Sequence, residues 1–312
     1  MTPMLFSVSY AGFWGQCRLD LEAFFAKAAA LGYPAVEIMG KRPHLSVLDA
    51  DRQTIAAVRD AAARAGVEIG TIAAYTNFTM GRDTEIPSVE IQVAYVRQLA
   101  QLAEQLGAKI VRIFTGYLVQ QDNFQRDWDL CVHAVRQCAA VTADCGVILG
   151  VQNHHDVGIG VDSYVEFLDE VDHPNCRAMF DPWAPALHGD DLYRCALRLA
   201  PRMVQTTLAD YVRLPRYRYV PGLVNYERLT DGVRAVPVGE GFQNLDDFFV
   251  GLREGGFDGY VAYEMCSPVR GGGSEENLDR TAKASLEAIW RLTGHSADGR
   301  SPARSAAYQP AK

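Results

Sequence analysis

Five consecutive residues, Gln152-Asn153-His154-His155-Asp156, end an apolar run of strand length that starts at Val147. Two amides, two imidazoles and a carboxylate supply donors, acceptors and proton carriers that work near neutral pH. Other apolar runs end in single polar residues: Glu37, Arg112, Asp181, Thr207 with Asp210, and Glu264, while Asn77 follows another. Gathered at one place, such groups transfer protons at carbon or hold a divalent cation. That chemistry requires a fold that brings positions 37 to 264 to a common mouth.

The elements between these residues repeat one unit. Strands are predicted over Leu5–Ser9, Ala35–Met39, Val67–Tyr75, Lys109–Thr115, within Val147–Asp156, and over Arg177–Phe180, Met203–Leu208 and Gly259–Glu264. Helices are predicted over Leu19–Leu31, Arg52–Ala65, Ser88–Leu106, Phe124–Cys145, Ser163–Val171, Asp190–Leu199, Asn244–Arg253 and Glu275–Leu292, several of them stopped by a glycine. Strands that alternate with helices form a parallel sheet, and eight such units give a single α/β domain, a (β/α)8 TIM barrel over residues 1–293. A doubly wound sheet is the runner-up, but no strand opens into a Gly-x-Gly-x-x-Gly turn, and Gly271–Gly273 is a poor substitute.

In a TIM barrel the C-terminal strand ends converge on the mouth where the chemistry sits. Period-two alternation puts Gln152 with His154 on one face of the fifth strand and Asn153 with His155 on the other. Trp14, Phe13, Trp183 and Tyr263, near helix and strand ends, are expected either to stack on a ligand ring or to join the core. Glu37 and Arg112 read as a structural ion pair, and Glu240, between two glycines, as a loop organiser. The segment Tyr211–Val236, rich in Tyr, Arg and Pro, is a long excursion after the seventh strand, expected to form a substrate wall or a subunit contact of a homodimer. The tail from Gly294 to Lys312 is small, polar and expected to be disordered.

With 312 residues, 48% apolar and 22% charged, the chain can bury a large core. A formal net charge of -8 without a long basic cluster argues against nucleic acid and anionic membranes and for a small-molecule partner. Seven scattered cysteines fit reduced thiols and a cytoplasmic location. No signal-peptide pattern or membrane-spanning apolar run is present in the sequence.

From Phe6 to about Leu292 the chain resembles the xylose-isomerase-like TIM barrels of sugar-phosphate isomerases and epimerases. The resemblance rests on Gln152-Asn153-His154, on Asp181 in Met-Phe-Asp-Pro-Trp, on Thr207-Leu208-Ala209-Asp210, on Val238-Gly239-Glu240-Gly241 and on Glu264 in Val-Ala-Tyr-Glu-Met. It implies a divalent metal (Mn, Co, Mg or Zn) held at Gln152, Asp181, Thr207 and Glu264. The family pattern has Glu and His where this chain has Gln152 and Thr207, so His154 or His155 is the expected replacement ligand. The implied activity is isomerisation or epimerisation of a keto-sugar by proton abstraction beside the carbonyl, with Glu264, His154 and His155 catalytic and with Gln152, Trp14, Trp183, Arg112 and Thr207 binding the sugar. A lyase or deglycosidase acting on an oxidised glycoside, needing one base, and a non-catalytic sugar-binding barrel are the alternatives. An endonuclease-like role is disfavoured by the charge.

Overall fold

A computed structural model describes residues 1–118 and 124–294. The expected tail beyond Gly294 lies outside the described residues. Eight parallel strands close into a barrel: β1 (Thr2–Phe6), β2 (Ala35–Met39), β3 (Glu68–Ala73), β4 (Ile110–Ile113), β5 (Ile148–Gln152), β6 (Cys176–Met179), β7 (Met203–Leu208) and, after an intervening antiparallel ribbon of β8 (Asp210–Val220) and β9 (Asn225–Val236), β10 (Tyr260–Tyr263). Closure is made by β1, which pairs with β2 on one side and β10 on the other, Leu5 facing Val36 and Tyr263. The register aligns Ile113 with Val151, Gln152 with Met179, and Ala262 with Thr207, so the strand ends reach similar depth.

Helices α1 (Leu21–Leu31), α2 (Arg52–Ala65), α3 (Ser88–Leu106), α4 (Phe124–Ala143), α5 (Val161–Val171), α7 (Leu192–Leu199), α8 (Leu245–Glu254) and α9 (Glu275–Leu292) return the chain between strands. Asp20, Asp51, Asp191 and Ser274 accept from the backbone N–H of Ala23, Thr54, Arg194 and Asn277, capping α1, α2, α7 and α9. The sequence reading misses α6 (Trp183–His188), a short helix behind the end of β6. Pro182 at its N-cap and Pro185 within it obscure it.

The barrel interior is layered. Its lower layer is apolar, with Met4, Ala35, Ile110, Met179, Tyr260 and Ala262 packed together. Gly70 and Gly150 leave room for the two methionines: a Cβ at Gly150 would stand 2.2 Å from Sδ of Met179, and one at Gly70 2.7 Å from Sδ of Met4. A polar layer lies among the other inward-facing positions, and it positions the site.

Residues 211–236 form a hairpin ribbon and not an irregular loop. Tyr211 pairs with Ala235 and Tyr219 with Tyr226. Pro215 and the arginines around it lie in the exposed outer part of β8, and Pro221 lies in the turn that leads to β9.

Candidate active site

Six buried side chains form one chain of contacts across the barrel. Thr71 Oγ1 donates to Gln205 Oε1 (2.6 Å), and Gln205 Nε2 donates to Glu37 Oε2 (2.6 Å). The other oxygen of Glu37 faces Nε of Arg112 at 3.6 Å. Arg112 Nη1 donates to Gln152 Oε1 (2.8 Å), and Gln152 Nε2 donates to Asp181 Oδ2 (3.2 Å). Asp181 is fixed further by the N–H of Trp183 on its Oδ1 (2.8 Å) and by Asn153, which brackets its peptide: Asp181 N donates to Asn153 Oδ1, and Asn153 Nδ2 donates to the Asp181 carbonyl. The guanidinium also lies against the rings of Phe114, Phe6 and Tyr75, with centroids 4.3, 5.1 and 5.2 Å from Cζ. The expected Glu37–Arg112 pair is therefore present as part of this network.

Above Arg112 opens a cavity of about 720 Å³. Its walls carry Phe6, Phe13, Trp14, Tyr75, Phe114, Tyr117, Trp183 and Tyr211, with His154, His155, Lys41, Arg112, Glu264 and Ser267 among the polar groups. Burial, together with the charge of Asp181, lifts Glu264 to about 8, although Arg112 works in the opposite sense. Asp181 is raised to about 6, also by burial, and is held down by the N–H of Trp183 and by Gln152. Cys266 Sγ donates to Glu264 Oε1 (3.3 Å) and stands 3.1 Å from the Tyr211 hydroxyl, so the carboxyl is held from the side.

Several buried polar atoms have no hydrogen-bond partner, and seven of them belong to cavity-lining residues: Arg112 Nε and Nη2, Trp183 Nε1, Tyr75 Oη, Ser267 Oγ, and Nδ1 of both His154 and His155. Buried groups of this kind are costly to leave unpaired, so a cavity that collects them is built for polar atoms of a ligand.

Among the residues singled out from the sequence, Glu264, His154, His155, Trp14, Trp183 and Arg112 line this cavity, whereas Gln152, Asp181 and Thr207 do not. The face assignment on β5 fails at its end. The strand stops at Gln152, the chain turns, and His154 and His155 meet the same cavity, their rings 5.4 Å apart and each 4.6 Å from Phe114. Both imidazoles are depressed by burial, His154 to about 4 and His155 to about 3, with Arg112 adding to each, so both are neutral at pH 7. Asp210, read from the sequence as a mouth residue, accepts from Gly239 N and Gly241 N, each at 2.9 Å. Asp210 thus organises the Gly-Glu-Gly turn, and the exposed Glu240 does not.

The implied metal set does not assemble. The oxygen of Gln152 is engaged by a guanidinium, and its other end donates N–H to Asp181, so the side that would face a cation presents a donor. Thr207 offers only a neutral hydroxyl, and His154 lines the cavity while Asp181 does not. Among the described residues no group of three or more His, Cys, Asp or Glu is arranged to hold a metal ion. The donor set does not fit the ion; the positive charge at this level is Arg112.

Sequence reasoning misses Lys41, Tyr75, Phe114, Tyr117 and Cys266. Each lies within four residues of a strand end, so reading three residues past every strand would have found Tyr75, Phe114 and Cys266. Lys41 is concealed because its role depends on ring faces: Nζ sits 3.6 Å from the centroid of Tyr75 and 5.1 Å from that of Phe13. All seven cysteines are free thiols. No helix among the described residues is long and apolar enough to cross a membrane.

The pattern of the xylose isomerase-like TIM barrel family matches residues 25–290. No curated protein matches in sequence. Among solved structures, D-allulose 3-epimerase from Methylomonas sp. superposes with a TM-score of 0.72 at 16% identity, covering 94% of this chain and 97% of that one. D-psicose 3-epimerase from Clostridium cellulolyticum H10 gives 0.70 at 18% identity, over 94% of this chain and 99% of that one. The probable 3-DHS dehydratase AsbF of Bacillus anthracis gives 0.70 at 18% identity, over 93% and 98%. At these identities the likeness is one of fold.

Proposed function

The chain belongs to the xylose isomerase-like TIM barrel family, and from that premise we propose that it is an isomerase-like enzyme that moves a proton at the carbon beside a carbonyl group of a sugar derivative. One observation carries the reading. Glu264, a buried carboxyl, lines a cavity together with the unpartnered Nη2 of the equally buried Arg112. A substrate carbonyl oxygen bound to that N–H has its neighbouring C–H acidified, and the guanidinium stabilises the charge that develops on the enolate oxygen. Glu264 takes the proton and returns it, while Trp183 Nε1 and the neutral rings of His154 and His155 hydrogen-bond substrate hydroxyls.

Glu264 is the carboxyl lining this cavity among the described residues; Asp181 and Glu37 do not line it. That arrangement favours reactions in which one base serves both proton steps. Aldose–ketose isomerisation on a single face is of this kind, and so is elimination, the second reading, where the same base acts and a leaving group departs. Epimerisation needs a second proton carrier on the opposite face, and neutral His154 is the candidate there. The named neighbours, ketose 3-epimerases and a probable dehydratase, use the same barrel, and both named reactions are open to a residue that removes a proton beside a carbonyl.

The test is proton NMR in D2O on a panel of keto-sugars. Wild-type protein should exchange the C–H beside the carbonyl, and Glu264→Gln should lose at least about 100-fold of that rate. Unchanged exchange in the variant would remove Glu264 from the mechanism. The product then separates isomerisation from elimination.

A further inference from the structure

We infer that the compound received by this cavity carries an aromatic ring, lodged in the outer half of the cavity away from Glu264. The inference rests on the reading above for the carbonyl end only. The cavity has two tiers. Its floor is buried and polar, with Glu264, Arg112 and the unpartnered nitrogens of His154 and Trp183. Its rim is apolar and open to solvent: Phe13 is 48% exposed, Trp14 39%, Tyr117 45% and Met80 59%.

These rim residues come from three separate loops, after β1, β3 and β4, and converge on one opening. Phe13 meets Trp14 edge-on with centroids 5.8 Å apart, and Tyr117 stacks on His155 at 4.0 Å. Large apolar side chains left wet around a concave site are covered when a ligand of matching chemistry enters. A free monosaccharide presents hydroxyls in every direction and satisfies the floor alone. The volume of about 720 Å³ falls in the upper part of the ~300–1,000 Å³ range of drug-sized sites, which leaves the outer tier for a second, planar group. Ring faces are what eight aromatic walls recognise. Lys41, held over Tyr75 and with burial and Arg112, not a carboxylate, acting on its charge, keeps N–H donors for an oxygen substituent on that ring.

Isothermal titration calorimetry on wild-type protein and on Glu264→Gln decides the matter without turnover. Two matched pairs of probes are used: phenyl against methyl β-D-glucopyranoside, and phenylpyruvate against pyruvate. In at least one pair the aryl member should bind roughly tenfold to a hundredfold more tightly. The preference should fall to near unity in Phe13→Ala/Tyr117→Ala, whose substituted side chains are exposed and leave the fold intact. Equal affinities in both pairs, no binding of either aryl probe at millimolar concentration, or a preference untouched by the double variant would each overturn the inference. So would a change of sedimentation state in that variant with the preference unaltered, since the rim would then serve a subunit contact. Ring preference without proton exchange keeps this inference and removes the role of Glu264; exchange without ring preference does the reverse.

Discussion

The amide oxygen of Gln152 accepts a 2.8 Å hydrogen bond from Nη1 of Arg112 while its nitrogen donates to Asp181. A single orientation of the amide satisfies both neighbours. A carboxylate at position 152 would pair well with Arg112 but would turn a second acceptor towards Asp181, placing two like charges side by side. Glutamine suits a barrel whose central cation is part of the protein.

Protein purified without chelator should therefore carry a divalent ion well below stoichiometry, and added Mn²⁺ should leave its Tm unchanged, because an ion that binds the native state raises Tm by mass action. In Gln152→Glu/Thr207→His, which supplies the two missing ligands, Mn²⁺ should raise Tm. A stoichiometric ion in the wild type that disappears in Asp181→Ala would contradict this account.

Arg112 and Glu37 form a buried ion pair, 1% and 0% exposed, whose worth lies in mutual compensation. Removing one partner strands the other charge. Arg112→Met should cost about 3–5 kcal/mol in urea unfolding. Arg112→Met/Glu37→Gln should recover a large part of that loss, because the uncompensated carboxylate is gone. A double variant no more stable than the single one would mean that Arg112 acts chiefly through its ring contacts.

The raised value of Glu264, about 8, sets the pH profile of any reaction in which it is the base. Below that value the carboxyl is mostly protonated, so kcat/KM should climb close to tenfold per pH unit and level off above about pH 8. At pH 7 roughly one molecule in ten carries the ionised base. A flat profile between pH 6 and 9 would assign the proton transfer elsewhere.

The barrel is legible in the sequence because its helices start at a capping side chain or stop at a glycine, as at Asp20 and Gly66, and parallel strands buried on both sides read as continuous apolar runs. The site is legible only in part. Glu264 and Asp181 close their runs visibly, yet period-two alternation misplaces His154 and His155 because the chain leaves strand geometry after Gln152. Asp210 reads as a mouth residue, since nothing local reveals that its partners are the amides of Gly239 and Gly241. The role of Lys41 depends on ring faces from two other segments, information that no local pattern contains.

Glu264→Gln also carries a stability prediction whose sign follows from linkage. The folded state holds the Glu264 proton up to about pH 8, whereas the unfolded chain releases it near the ordinary value of 4.5. Between those two values the folded state binds more protons than the unfolded one, so this group lowers stability as pH rises and is without effect below about 4.5. Glutamine, which stays neutral, escapes the loss. The variant should match the wild type in Tm near pH 4.5 and exceed it by a margin that grows from about pH 5 to 8 and levels off above that, as differential scanning calorimetry would read. A margin that is constant with pH would show that the carboxyl ionises as readily inside the fold as in the unfolded chain, and would withdraw the raised pKa on which its pH–rate profile depends.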